Sequence, residues 1–300
     1  MFARWASLVH NVRMRQPPPD EIVELARERI AARRDAERAS DEVAAARRDR
    51  HWGIAFLLLL SALLLAFVLW PGATLEWKLF AAVHGLVAQK HLVFLGERPL
   101  PLCARNLGIY SSFLLSLSYL WARGRSRAAA LPARPLLVVL GLGVLAMGFD
   151  GINSLLEDTG RAYLYVPRND LRTISGALFG IALTPIILLV FNQALRANAE
   201  RERPVLDWRD FGGLLVLNGL FVALAHSGLA LLYWPLALLG VVGIIGELFT
   251  MFLLVAAVAL GYSRRVTSLA HLGRPACVAL VLTVAFAGGL ALLRFAGAGG

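Results

Sequence analysis

Residues 53 to 70, GIAFLLLLSALLLAFVLW, run without a single charge and have a tryptophan at each edge, Trp52 before them and Trp70 closing them. An α-helix of about 20 apolar residues crosses a hydrocarbon core of about 30 Å, and tryptophan favours the two interfaces. Fifty polar residues precede the run, which is also too long for a signal-peptide core, so a membrane span is expected and a leader is not. Six more runs qualify, at roughly 101–121, 136–156, 173–195, 211–233, 236–261 and 276–293. The expected fold is all-α, a polytopic transmembrane helix bundle of about seven spans occupying residues 51–300, with a charged amino-terminal cytoplasmic helix in residues 1–50.

Composition points the same way. The chain is 58% hydrophobic and 17% charged with a mean hydropathy of +0.65, against about 45–50% apolar and about 25% charged for an ordinary soluble domain. A disordered chain, a collagen-like fibre and a disulfide-stapled secreted domain are excluded. The net charge of +10 does not indicate nucleic acid, because no basic patch is interleaved with aromatic residues. Residues 1–50 hold 11 Arg and 9 acids, so most of the surplus lies among the apolar runs. The loops 122–135, 196–210 and 262–275 carry 4, 4 and 3 Arg against 4 acids in all, a net of +7, while the opposite segments carry a net of +2. Positive loops stay cytoplasmic, which predicts a bacterial inner-membrane protein with its amino terminus inside and its carboxyl terminus outside. Cys103 and Cys277 then stand at opposite ends of the membrane and cannot pair.

Pro17 to Pro19 stop any helix upstream, Asp20 can cap the next, and Glu24 and Glu28 face Arg residues three to five positions on, which predicts a helix of about 28 residues. Its apolar side of Ile22, Leu25, Ala26 and Ile30 is thin, as in a solvated helix. Residues 71–99 on the outer side place Leu75, Leu79, Phe80, Val83, Leu86 and Val87 at helical spacing among Lys78, His84, Lys90, His91, Glu97 and Arg98. An amphipathic surface helix that can act as a lid is expected. Trp234 and Pro235 provide a very short outer turn.

Ionisable groups inside a bilayer are costly, so where they gather is informative. Cys103 and Arg105 open the second run, Asp150 and Asn153 close the third, and Arg172, Thr173 and Ser175 open the fourth, all at the outer end. The loop between the last two adds Arg161, Tyr163, Tyr165, Arg168 and Asn169. Asp150 and Asn153 share a helix face, Gly148 and Gly151 would let a neighbouring backbone approach, and Asp150 can pair with Arg105 or Arg172. Glu247 is the lone mid-membrane acid, to be protonated, paired with Arg, His226 or Asn218, or part of a proton or ion path. His226 reads as a satisfied hydrogen-bonding residue rather than a metal ligand. Gly176, Gly180, Gly240, Gly243 and Gly246 read as close-packing faces.

PLCARNLGIY at 101–110, FDGIN at 149–153 and LRTISGALFG at 171–180 together resemble the bacterial multi-pass membrane family known as domain of unknown function 2085, over roughly residues 80–195. That resemblance implies a Cys-His pair upstream of a Cys-Ala-Arg-Cys element, a set suited to metal ligation or a redox dithiol. The corresponding residues here are Val83 and His84, then Cys103 and Asn106, so only His84 and Cys103 of the four are kept and no metal or cofactor is expected. Arg105, Gly108, Tyr110, Asp150, Asn153, Arg172 and Gly176 match unchanged, a set suited to anion recognition and helix packing.

The sequence therefore predicts an outward-facing pocket with Arg105, Asp150, Asn153 and Arg172 as its floor. His84 and Cys103 stand at the rim, with Tyr110 and Arg168 as further ligand-binding candidates. The pocket would bind or translocate an anionic lipid headgroup or small anion. Membrane lipids are the expected partners. Two other readings stay open: a membrane-embedded enzyme or metal-site protein using His84 and Cys103, with His84 as general base or Cys103 as nucleophile in the enzyme, and a scaffold or assembly factor working through the 20–50 helix. No GxSxG, HExxH, CxxC or P-loop element supports the enzyme.

Overall fold

The computed structural model describes residues 19–298, with side chains in 19–49 described only at Glu24, Arg27, Glu28, Arg29, Ile30 and Arg33, all exposed. The helix-stopping Pro17 and Pro18 and the side chains of Asp20, Ile22, Leu25 and Ala26 lie outside the described residues. Contacts divide the chain into two units, 1–49 and 50–300.

Helix α1 runs without a break over Pro19–Leu69, where the sequence suggested a separate charged helix followed by a span. Between Asp20 and Trp52 the chain has no Gly or Pro and is rich in Ala, Arg and Glu, all strong helix formers, so nothing interrupts it. In the second unit α2, Leu75–His84, starts on Thr74, whose hydroxyl accepts from the Trp77 amide. Lys78 is buried, and its ammonium donates to the Val68 carbonyl at 2.7 Å.

The amphipathic helix expected over 71–99 ends at His84. The remainder forms an antiparallel hairpin of β1, Leu92–Leu95, and β2, Arg98–Cys103. Gly96 turns it at φ +63, a left-handed backbone that glycine adopts freely. Pro99 and Pro101 exclude a helix beyond it. Then follow α3 (Ala104–Ala122), β3 (Ala128–Ala130), α4 (Arg134–Asp158), α5 (Asn169–Leu195), β4 (Glu200–Pro204), α6 (Trp208–Ala225), α7 (Tyr233–Ala259) and α8 (Gly273–Ala298). Short 3₁₀ turns precede α7 and α8. The α6–α7 turn lies at 226–232 around Gly228, not at Trp234–Pro235. Pro235 sits in the first turn of α7, where its missing N–H costs nothing.

Among the described residues, six helical stretches are long and apolar enough to cross a membrane: Arg50–Leu69, Arg134–Asp158, Asn169–Leu195, Trp208–Ala225, Ala230–Ala259 and Leu269–Gly297. The seventh expected span, α3, is not among them. It carries Ser111, Ser112, Ser116 and Ser118, and the first three are buried. This more polar helix packs most extensively on α5 and also on α7 and α6. Wrapped by other helices, it need not present an apolar surface to lipid.

Glycine makes the α3–α5 contact close. A Cβ on Gly108 would collide with the Thr173 carbonyl, one on Gly176 with the Arg105 carbonyl, and one on Gly180 with the Ile109 carbonyl. Gly240 and Gly243 serve the α3–α7 contact, against Leu107 and Tyr110, and Gly240 also meets Leu102 of β2. Gly246 and Gly148 face open space and Gly151 meets only the Arg105 guanidinium at 3.9 Å, so these three are not close-packing positions.

β3 and β4 pair in parallel, an element absent from the sequence reading. Beside them Asp210, which is fully buried, accepts from Arg123 Nε at 2.9 Å and Arg125 Nε at 2.7 Å, and Arg125 also binds Asp207.

Candidate functional site

At the opposite end of the bundle the last two turns of α4 present Asp150, Asn153, Ser154 and Glu157, spaced three or four apart and so on one helix face. The first turns of α5 bring Arg172, Thr173 and Ser175, and the first turn of α3 brings Arg105. The Gly108 and Gly176 contact sets their mutual approach, because it fixes α3 against α5 one turn below these polar groups.

Arg105 Nη2 and Nε donate to Asp150 Oδ2 at 2.6 and 3.2 Å, and Nη2 also reaches the Asp150 carbonyl at 3.1 Å and Ser154 Oγ at 2.9 Å. The Tyr165 hydroxyl donates to Asp150 Oδ1 at 2.7 Å and the Ser175 hydroxyl to Oδ2 at 3.1 Å. Asp150 is 4% exposed and fully partnered, which is the condition under which a buried carboxylate can stay charged. Arg172, 5% exposed, gives Nη2 to Glu157 Oε2 at 3.1 Å and Nη1 to Asn169 Oδ1 at 3.2 Å. The two guanidiniums thus face two carboxylates.

The structure brings together four expected residues, Arg105, Asp150, Asn153 and Arg172. Asn153 holds the loop: its Nδ2 donates to the Tyr165 carbonyl at 2.9 Å and its Oδ1 accepts from the Leu164 amide at 2.8 Å. That loop carries Tyr165 onto Asp150. Ser154 and Glu157 were not singled out from the sequence, although their i+4 and i+7 spacing from Asp150 was available to find them.

The remaining candidates lie elsewhere. Arg168 turns to Asp170 at 2.6 Å on the exposed surface. Tyr110 lies on the side of α3 that meets α7 at Gly243. His84 Nδ1 is 2.7 Å from Gln89 Oε1, and its ring stacks on Phe295 at 4.2 Å. No hydrogen bond joins His84 to Cys103, and His91 is bound to Asp158 instead. Among the described residues no three His, Cys, Asp or Glu side chains are placed to hold a metal ion. Burial pushes the Cys103 thiol pKa up, against the pull of the Asn106 amide and Arg105, and a raised thiol pKa disfavours the nucleophilic thiolate.

None of the three partners expected for Glu247 bonds to it among the described residues. Asn218 is held by Ser112 at 2.6 Å, Ser116 at 3.3 Å and the Leu214 carbonyl at 2.9 Å. His226 Nε2 lies 2.9 Å from Thr173 Oγ1. Because the Thr173 proton goes to the Asn169 carbonyl at 2.8 Å, His226 is the donor, a satisfied histidine as expected. Glu247 is buried, is joined to no Arg, and its Oε2 has no hydrogen-bond partner among the described residues.

Tyr165 gives the network a measurable pH signature. Burial, then its bond to Asp150 and that residue's charge, push the phenol pKa up to about 12. A group that binds its proton more tightly when folded stabilises the fold below its unfolded pKa of about 10 and loses that contribution as pH rises through the folded value. Alkaline titration followed by phenolate absorbance is expected to count one late-ionising tyrosine fewer in Tyr165→Phe than in the parent, and parent stability is expected to fall between about pH 10 and 12 more steeply than in the variant.

Residues 87–186 match the family model described as predicted membrane protein (DUF2085), which contains all three motifs that carried the resemblance. No curated protein and no solved structure matches the chain. It is a multi-pass membrane protein by its apolar helices and by this family match.

Proposed function

We propose that this is a seven-span bacterial inner-membrane protein, amino terminus cytoplasmic, which binds or translocates an anionic lipid headgroup or small anion at the outer end of α4 and α5. The observation that supports this reading is the unequal tenure of the two arginines. Arg105 is gripped by a buried carboxylate with four donors, whereas Arg172 has a single carboxylate partner, Glu157, whose side chain is 31% exposed at 3.1 Å. A phosphate or carboxylate arriving at the surface can replace Glu157 and keep the bond charge-assisted, because a guanidinium offers paired donors to either group. Arg105 and Asp150 then act as the frame. The enzyme reading loses its support, since His84 and Cys103 are held in separate contacts and the thiol is disfavoured as a thiolate.

Native mass spectrometry of the detergent-purified chain with added phosphatidylglycerol tests this. Glu157→Gln frees Arg172 and is expected to raise retention about tenfold, equivalent to roughly 1.4 kcal/mol, while Arg172→Ala lowers it below the parent and Cys103→Ser leaves it unchanged. Equal retention in the parent, Glu157→Gln and Arg172→Ala would overturn the reading.

A further inference from the structure

The other end of α5 lies roughly 40 Å away, at 1.5 Å per residue, and carries a cation to which no described side chain supplies a counter-charge. Arg196 caps α5 and is 6% exposed. Its Nε donates to Asn192 Oδ1 at 2.9 Å, and the Nη atoms make no hydrogen bond or ion pair to any described residue. Asn192 cannot turn away to relieve it, because its Nδ2 is committed to the Ala128 carbonyl of β3 at 2.7 Å. The guanidinium is therefore held by its inner edge with its outer edge presented.

The surroundings add positive charge instead of removing it. Arg127 follows at the entry to β3 and acts on Arg196 as a neighbouring cation; burial first and Arg127 second lower the Arg196 pKa. Arg127 is itself 53% exposed and meets Glu200 at only 3.5 Å, and Glu200 is shared with Arg203 at 3.1 Å. The 260–268 loop is laid along the same strand of chain, with Val266 bridged to Arg196 and the Arg264 amide bonded to the Ala194 carbonyl at 2.9 Å, so exposed Arg264 and Arg265 arrive beside it. A buried guanidinium without a carboxylate is costly in the folded chain. An anion on its Nη edge removes that cost, and phosphate fits the paired donors best.

We infer that Arg196, with Arg127 at its entrance, forms a second and separate phosphate-binding site at the arginine-rich end of the bundle, for a lipid phosphodiester headgroup or for free phosphate. This end also carries the positive loops, so an anionic leaflet surface would concentrate the ligand there.

Thermal melting of the full chain in a non-ionic detergent separates the two sources, with titration of inorganic phosphate and, separately, phosphatidylglycerol, each against chloride at matched ionic strength. A melting temperature raised by either ligand in the parent, with apparent affinity at least tenfold weaker in both Arg196→Gln and Arg127→Gln, supports the site; the ligand that acts names the source. Arg127 is exposed, so Arg127→Gln keeps the test valid if Arg196→Gln fails to fold. No shift above chloride in the parent, or a shift that survives Arg127→Gln and is lost in Arg172→Ala, overturns it.

Discussion

Asp150→Ala is expected to be among the most damaging single changes in this protein, costing about 3–5 kcal/mol of folding stability. The reason is what remains behind. Arg105 would keep its position between α3 and α4 with its carboxylate gone and only Ser154 and a main-chain carbonyl as acceptors, while the Tyr165 hydroxyl would lose the oxygen it donates to and Ser175 would keep only the Arg172 carbonyl. An unpaired buried charge costs far more than the pair contributed. Combining Asp150→Leu with Arg105→Met removes both charges together and is expected to recover most of the loss. Unfolding in mixed micelles of increasing sodium dodecyl sulfate, followed by circular dichroism, measures both. If Asp150→Ala cost less than about 1 kcal/mol, the network would not be holding the helix ends.

Gly176→Leu is the second large effect and acts through shape alone. Helices α3 and α5 approach so closely that even a Cβ on Gly176 would run into the Arg105 carbonyl oxygen and come within 3.1 Å of the Ile109 amide. Both obstacles are backbone, which cannot swing aside, so the helices must separate. Overpacking commonly costs about 1–3 kcal/mol and more where main chain blocks relief; a loss of at least about 3 kcal/mol is expected in the same assay. Gly219→Leu supplies the control, because nothing lies within 4 Å of a Cβ there and the position is exposed. That change is expected to stay within about 0.5 kcal/mol. Equal effects at the two glycines would mean that the α3–α5 contact is not limited by backbone approach.

How much of this was visible beforehand differs by element. The apolar runs set where six spanning helices form, because length and hydropathy are local properties that survive any packing arrangement. The expected polar gathering also formed, since Arg105, Asp150, Asn153 and Arg172 all stand at helix ends on one side of the bundle. Ser154 and Glu157 are equally periodic, and without Glu157 the sequence offers one acid, Asp150, to two arginines where the structure has two. Where the reading failed, a local pattern had been extended too far. Leu86 and Val87 continued the helical spacing of Leu75 to Val83, yet Gly96, Pro99 and Pro101 could support only the hairpin that followed.

The sequence by itself determined that this chain crosses a membrane repeatedly, which end of the bundle collects arginine, and which residues of one end can pair. Those are consequences of hydropathy, charge and helical period. Only the tertiary structure decided that α3 is the wrapped central helix, that His84 stacks on Phe295, and that Arg196 is buried with no acid among the described residues beside it. Each depends on which faces meet across tens to hundreds of residues, and in a membrane that choice is made by close packing and by the satisfaction of polar groups, neither of which a single stretch of chain contains.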